Sequence, residues 1–259
     1  MKGGGGRRAD LSWRPYLDAF HAERPGITEA VLLRARARSV DPYQWLAETV
    51  PAEGTVLDLA CGSAPMRTAL PPGIRYLGLD RSPAELAAAQ VRGAGPLVRA
   101  DATALPLGTG TIDTAVCSMA LMLFAPLPAV LAEIRRVLAP GGLLVATIPA
   151  NRPPHASDLA TAVPLLLALR RTLRYPNDHA LRRPRAALAA AGFTLATDRR
   201  RRFAVTLDRP GDAELLLDSL YLPGLDPARR RQALRVLRRA ADRHTEIPIP
   251  LRQIIARAR

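Results

Sequence analysis

Three short stretches carry residue types that can hold a nucleoside. In VLDLACGSAP (56–65) an apolar run ends on Asp58 and passes into a turn through Gly62. Glycine lets the backbone turn sharply and approach a ligand closely, and amides at the start of a following helix offer donors. Twenty-two residues after Asp58, the run IRYLGLD ends on Asp80. A carboxylate there can accept two hydrogen bonds from a ribose 2′,3′-diol. Twenty-one residues further on, PLVRAD ends on Asp101, followed by Ala102; a carboxylate at that place can accept from an adenine amino group. Three successive strand ends of this kind line one crevice at the carboxyl edge of a sheet, and together they imply an adenosine. A dinucleotide site asks for G-x-G-x-x-G, whereas positions 60, 62 and 64 are Ala, Gly and Ala, which leaves no room for a pyrophosphate. A P-loop is excluded because the only lysine is Lys2.

The elements that must position these residues follow from the apolar pattern. Leu11 to Val50 reads as helices (WRPYLDAFHAE, ITEAVLLRARARS, DPYQWLAETV) punctuated by Pro25-Gly26 and Asp41-Pro42. From residue 54, short apolar runs at 55–60, 74–80, 96–101, 111–118 and 143–149 alternate with helical stretches. The helix LPAVLAEIRRVLAPGG is expected to be closed by Pro140-Gly141-Gly142, and Ser82-Pro83 to open another. Continuous apolar strands in βα alternation mean an α/β fold with a parallel sheet covered on both faces. Further on, helices are expected over Ser157–Arg174 and Asp178–Ala191, with Pro164 and Pro184 free to kink or split them. FTLATDRRRRFAVTL (193–207) reads as one bent strand or a hairpin, two helices follow, and IPIPLRQIIARAR (247–259) reads as a final strand. Pro248 and Pro250 confine the start of that strand to an edge or to its first residues. We expect a disordered tail over 1–10 and one domain over 11–259. Within it, 11–50 is a helical cap, 51–150 a cofactor-binding core, and 151–259 carries substrate-side helices and the final strands.

VLDLACGSA, YLGLDRS, ADATALPL, DTAVCSMAL and AEIRRVLAPGGLLVATIP, in that order over about residues 50–150, resemble successive motifs of the class I S-adenosylmethionine-dependent methyltransferases. The branch they resemble includes quinone-biosynthesis and many secondary-metabolite enzymes. The resemblance implies a Rossmann-like, doubly wound, seven-stranded sheet whose last strand inserts antiparallel, with the helical insertion at 211–243 closing over the acceptor. It implies S-adenosyl-L-methionine as cofactor. Carried over by position, Asp58, Ala60 and Gly62 border the methionyl group, Asp80 holds the ribose, and Arg81 lies beside the adenine. Asp101 and Ala102 contact the adenine edge, and Ser118 and Met119 lie beneath the sulfonium. This chain departs from the family at Ala60 and Ala64, where glycine is common; both are small enough for the methionine part to fit.

Methyl transfer asks the protein mainly to align nucleophile and donor and to exclude water, and a base only if the acceptor carries a proton. His155, just after the fifth strand, has the best topological position for that base; His21 in the cap comes next. His179 and His244 read as surface residues. A carboxylate inside an apolar strand is costly without a partner, so Asp58 must have one, either backbone or cofactor. Cys61 and Cys117 read as small buried hydrophobes and make no disulfide framework. No Pro-Cys dipeptide supports a cysteine-adduct mechanism, and Ser118-Met119-Ala120-Leu121 replaces the Asn/Asp-Pro-Pro-Tyr/Phe of DNA adenine enzymes. The reducing cytoplasm fits this composition.

The net charge of +14 is uneven: residues 1–60 balance, and residues 151–259 carry 22 basic against 10 acidic side chains. In DPARRRQALRVLRRAADR, Arg231, Arg235, Arg239 and Arg243 form an i, i+4 row opposite Ala233, Leu234 and Leu237. Such a row repels itself unless something anionic faces it. The sequence thus allows a methyltransferase acting on a small, possibly anionic acceptor, an rRNA or tRNA methyltransferase, or a non-catalytic nucleotide-binding protein of the same fold. Aromatics total only 4%, which leaves few platforms for stacking RNA bases.

Overall fold

The computed structural model describes residues 6–150, 155–156 and 158–259, with the backbone alone over 6–12. The first half of the expected tail, residues 1–5, lies outside the described residues. From Gly6 the chain forms helix α1 (Gly6–Glu23), followed by α2 (Ile27–Leu32) and α3 (Pro42–Ala47). Asp41 starts α3 through a capping box, accepting from the Tyr43 and Gln44 amides while Gln44 reaches back to the Asp41 N–H. The stretch RARARS does not continue α2 as its pattern suggests. Arg36 instead bridges to Ala204, donating to and accepting from it at 2.8 and 2.9 Å, and Arg38 takes a left-handed φ of 58°. A sheet edge competing for the same amides outweighs local propensity there.

The core alternates β1 (Thr55–Leu59), α4 (Met66–Ala69), β2 (Arg75–Asp80), α5 (Pro83–Val91), β3 (Leu97–Arg99), β4 (Ile112–Ser118), α6 (Leu127–Val137) and β5 (Leu138–Pro149). Helix α6 ends at Val137, just before the expected Pro140-Gly141-Gly142 stop, because Leu138 already pairs with Ile112 across an irregular register. Next come α7 (Asp158–Leu169), α8 (Asp178–Arg182), α9 (Pro184–Ala190), β6 (Phe193–Thr206), α10 (Asp212–Asp218), α11 (Pro227–Asp242) and β7 (Glu246–Ala258). Helix α7 stops short of the expected Arg174, and Pro184 splits the next helix by taking the first position of α9. β6 is a single strand with a register shift between Leu195 and Thr197.

The seven strands lie in the order β3-β2-β1-β4-β5-β7-β6. β1 to β5 pair in parallel, and β7 runs antiparallel to both β5 and β6. The prolines of β7 fit this central place because pairing with β5 begins only at Leu251, opposite Pro149. The Pro250 carbonyl accepts from Ala150 N, so its nitrogen faces the β5 side, as does that of Pro248 two residues earlier. Among the described residues none pairs on that side of Pro248, so no ladder bond is lost there. One apolar cluster fills the sheet face under α6, a second lies beneath α3, and a third joins α7, α10 and α11. The chain reverses strand order between β1 and β4, which opens a crevice at their carboxyl ends. The cap helices lie over it.

Candidate active site at the carboxyl edge of the sheet

The turn after β1 is built from left-handed backbone. Ala60, Gly62 and Ala64 have φ of 56°, 55° and 58°. This geometry lets Gly62 N donate to Asp80 Oδ2 at 2.9 Å and Cys61 N to the Leu79 carbonyl at 3.0 Å, stitching the turn to β2. A Cβ on Gly62 would come within 3.1 Å of Glu29 Oε2, so the backbone there needs glycine for space as well as for conformation.

Three carboxylates at successive strand ends sit in different electrostatic environments. Asp80 is buried; burial raises its pKa, and the Ser82 and Gly62 amides, 2.8 and 2.9 Å away, work against that rise. Asp58 is 1% exposed and pushed up to about 7 by burial, with a hydrogen bond from Tyr76 opposing. It has a side-chain partner: the Tyr76 hydroxyl donates to Oδ2 at 2.8 Å. Asp101 is more open. Burial pushes it upward, yet the Thr103 amide and hydroxyl and Arg14, 2.6 Å away, hold it below the usual carboxylate range. Burial pushes the Cys61 and Cys117 thiols up, so both are inert hydrophobes.

The cap closes this edge through contacts between residues far apart in sequence. His21 on α1 lies 2.7 Å from Glu85 Oε1 on α5 through Nδ1, and Glu85 Oε2 accepts from Gly26 N at 2.9 Å. The other ring nitrogen, Nε2, faces the Tyr221 hydroxyl at 3.4 Å. Tyr221 packs on Phe20 at 4.7 Å between ring centres, and Tyr16 accepts from Leu222 N at 2.8 Å. Arg81 pairs with Asp18 of α1. Glu29 is buried beside this group. Burial, and then the Glu85 charge, push it up to about 8. Its Oε1 has no hydrogen-bond partner.

These groups line a cavity of about 630 Å³. Asp58, Ala60, Gly62, Asp80, Arg81, Asp101, Ala102, Ser118 and Met119 all border it, as does His21. His155 does not: it is exposed after β5, and its carbonyl accepts from Asp158 N. Sequence reasoning missed Thr28, Glu29, Glu85 and Tyr221, which the cavity brings together. Glu85 carried a signal, since it sits three residues past the helix-capping Ser82. The others are visible only once the cap is folded.

A methyltransferase-domain family matches residues 57–146, the span from β1 to β5 that builds the crevice. The chain therefore carries a methyltransferase domain over β1 to β5. The chain is 40% identical over 128 residues to the malonyl-[acyl-carrier protein] O-methyltransferase of Alcanivorax borkumensis; the match covers 46% of this chain and 42% of that one. It is 38% identical over 121 residues to the demethylmenaquinone methyltransferase of Thermus thermophilus, covering 44% and 53%. The chain thus spans about half the length of these relatives. The [4+2]-cyclase SpnF superposes with a TM-score of 0.55 at 22% identity, over 98% of this chain and 94% of that one. That likeness establishes the fold alone.

Proposed function

We propose that this protein transfers the methyl group of S-adenosyl-L-methionine to a small-molecule acceptor held between the cap and the sheet edge. One observation carries the reading: the nine residues expected around the donor and the His21–Glu85–Tyr221 group line one cavity. The donor set suits an adenosine bearing a cationic amino acid. Carboxylates stand at the ribose and adenine positions, Gly62 admits a close backbone approach, and Glu29 offers a buried acceptor oxygen with nothing bonded to it. When bound, the cofactor supplies a methyl on a sulfonium, open to in-line displacement. Asp80 would accept from the ribose diol, Asp101 and Ala102 would meet the adenine edge and Arg81 would lie beside it. Asp58, Ala60, Gly62, Ser118 and Met119 would hold the methionyl end.

His21 is the base we propose for an acceptor that carries a proton. Glu85 fixes the Nδ1–H tautomer by accepting from it, which leaves Nε2 as the proton acceptor facing Tyr221 and the cavity. His155 is exposed and is not among the residues that line the cavity. Many arginines of the last third are engaged in internal ion pairs, Arg202 with Asp158, Arg230 with Asp218, Arg238 with Glu214 and Arg252 with Asp198, which favours a small acceptor over RNA.

Labelled methyl donor incubated with cell extract, then fractionated, is the test: label is expected in a small-molecule fraction, and label confined to RNA would refute the reading. Asp80→Ala should weaken S-adenosylmethionine binding by about 1.5–3 kcal/mol in calorimetric titration, the scale of a lost hydrogen bond to a charged group. His21→Gln should cut turnover by roughly 10²–10⁴ with cofactor affinity kept.

A further inference from the structure

Helix α7 turns an apolar face to solvent. Leu159, Val163 and Leu167 are 47%, 42% and 69% exposed and stand at i, i+4 and i+8, a stripe along one side of the helix. Ala160 and Pro164, also exposed, fill the spaces between them. At 100° per residue these five positions oppose Asp158 and Leu169, which are buried. The stripe is about 12 Å long. Beyond its carboxyl end follow Arg170, Arg171, Thr172, Leu173 and Arg174, all exposed.

Helix α11 lies alongside, antiparallel. At one end Arg202 joins Asp158, the first residue of α7, to Glu246, just past α11. At the other end Arg171 donates to the Pro223 carbonyl just before α11, at 2.9 Å. Both helices bury into the same cluster, Ala168 and Leu169 from α7 with Ala233, Leu234 and Leu237 from α11, and each leaves its far side exposed. On α11 that outer face is Arg231, Arg235, Arg239 and Arg243, all exposed and none ion-paired among the described residues. Arg230 and Arg238 of the same helix are paired, with Asp218 and Glu214.

We propose that the α7–α11 face docks the protein on an anionic lipid bilayer, the stripe entering the acyl boundary and the arginine row meeting lipid phosphates. An apolar helix face bordered by arginines is the physical pattern of interfacial binding, and each basic side chain near an anionic surface adds attraction. The stripe offers no hydrogen-bonding group, whereas a protein interface asks for about one hydrogen bond per 100–200 Å²; acyl chains ask for none. Among the described residues no helix is long and apolar enough to cross a membrane, so the contact is peripheral. This inference stands apart from the proposed methyl transfer, because no residue of the face lines the cavity.

Flotation of the full chain with vesicles tests it, comparing phosphatidylcholine alone with phosphatidylcholine plus phosphatidylglycerol. Binding is expected only to the anionic vesicles and weakens as salt rises. Replacing Arg231, Arg235 and Arg239 by Gln should weaken partitioning about a hundredfold, and Leu159→Ser with Val163→Ser and Leu167→Ser about tenfold or more. The single Leu167→Ser, at the most exposed position, should show part of that loss. Thermal stabilisation by S-adenosylhomocysteine, compared between parent and variants, reports whether each variant is folded. The proposal is overturned if the parent ignores anionic vesicles, or if folded variants bind as well as the parent. A concentration-dependent dimer that the serine variant breaks, without vesicle binding, would assign the face to a second copy and also overturn it. So would capture by an acidic carrier protein from a chain that vesicles do not retain.

Discussion

Replacing Ala60 and Ala64 by glycine separately tests the left-handed turn after β1. An alanine held at φ near +56° or +58° costs roughly 1–2 kcal/mol against glycine. Glycine gives back about 0.4–1 kcal/mol through the greater freedom of its unfolded chain. For Ala60, half-buried at the cavity wall, the difference is a net gain of about 0.5–1 kcal/mol, or roughly 1–4 °C in a domain of this size. Ala64 differs because its methyl is 3% exposed and packs in the cluster beneath α3. Losing a buried methyl costs about 0.8 kcal/mol, which cancels the conformational gain and leaves Ala64→Gly near the parent. Urea unfolding and calorimetric melting of both variants read the contrast directly. A gain at Ala64→Gly equal to that at Ala60→Gly, or a loss at Ala60→Gly, would refute the account of strain in this turn.

Tyr76→Phe removes the hydroxyl that donates to Asp58 inside the sheet; it should cost about 1–3 kcal/mol in urea unfolding, the scale of an unsatisfied buried group, and an unchanged midpoint would show that Asp58 does not depend on this bond. The ligand-free protein should lose stability as pH rises from about 4.5 to about 8, because folded Glu29 keeps a proton to about pH 8 that the unfolded chain releases near 4.5. That stability is complete below the unfolded value and gone above the folded one, at up to about 1.4 kcal/mol per pH unit. Glu29→Gln should flatten this part of the melting-temperature profile, leaving the smaller fall that Asp58 causes up to about pH 7; an unaltered slope in the variant would exclude Glu29 as its source.

The strands of the crevice were legible because each is an apolar run ending in a residue with separate chemical meaning. Hydrophobic period and strand-end type agree at Asp58, Asp80 and Asp101, and the cavity borders all three. What the sequence withheld is long-range pairing. His21 and Glu85 stand 64 residues apart, and nothing local marks either as the other's partner. His155 looked better placed by topology alone, but the chain turns it outward after β5. Element ends failed for a related reason: Arg36 and Leu138 leave helical patterns because strands elsewhere, β6 and β4, claim their backbone groups.

The insertion of β7 between β5 and β6 orders the chain's own synthesis. β6 leaves the ribosome before the strand that will join it to the sheet, so for a time β5 has an open edge and the 14 residues of β6 have no neighbour. Unpaired strands at that stage are where wrong partners attach. The segment that waits is DRRRRF: Arg199 to Arg202 sit at its centre, and like charges on two copies of this strand would repel each other. Once β7 arrives, the same arginines find their places, Arg199 and Arg201 over the Trp45 ring and Arg202 on Asp158. A charge run on an edge strand thus disfavours pairing with a second copy of that edge, and in the finished fold it fastens β6 to α3 and α7.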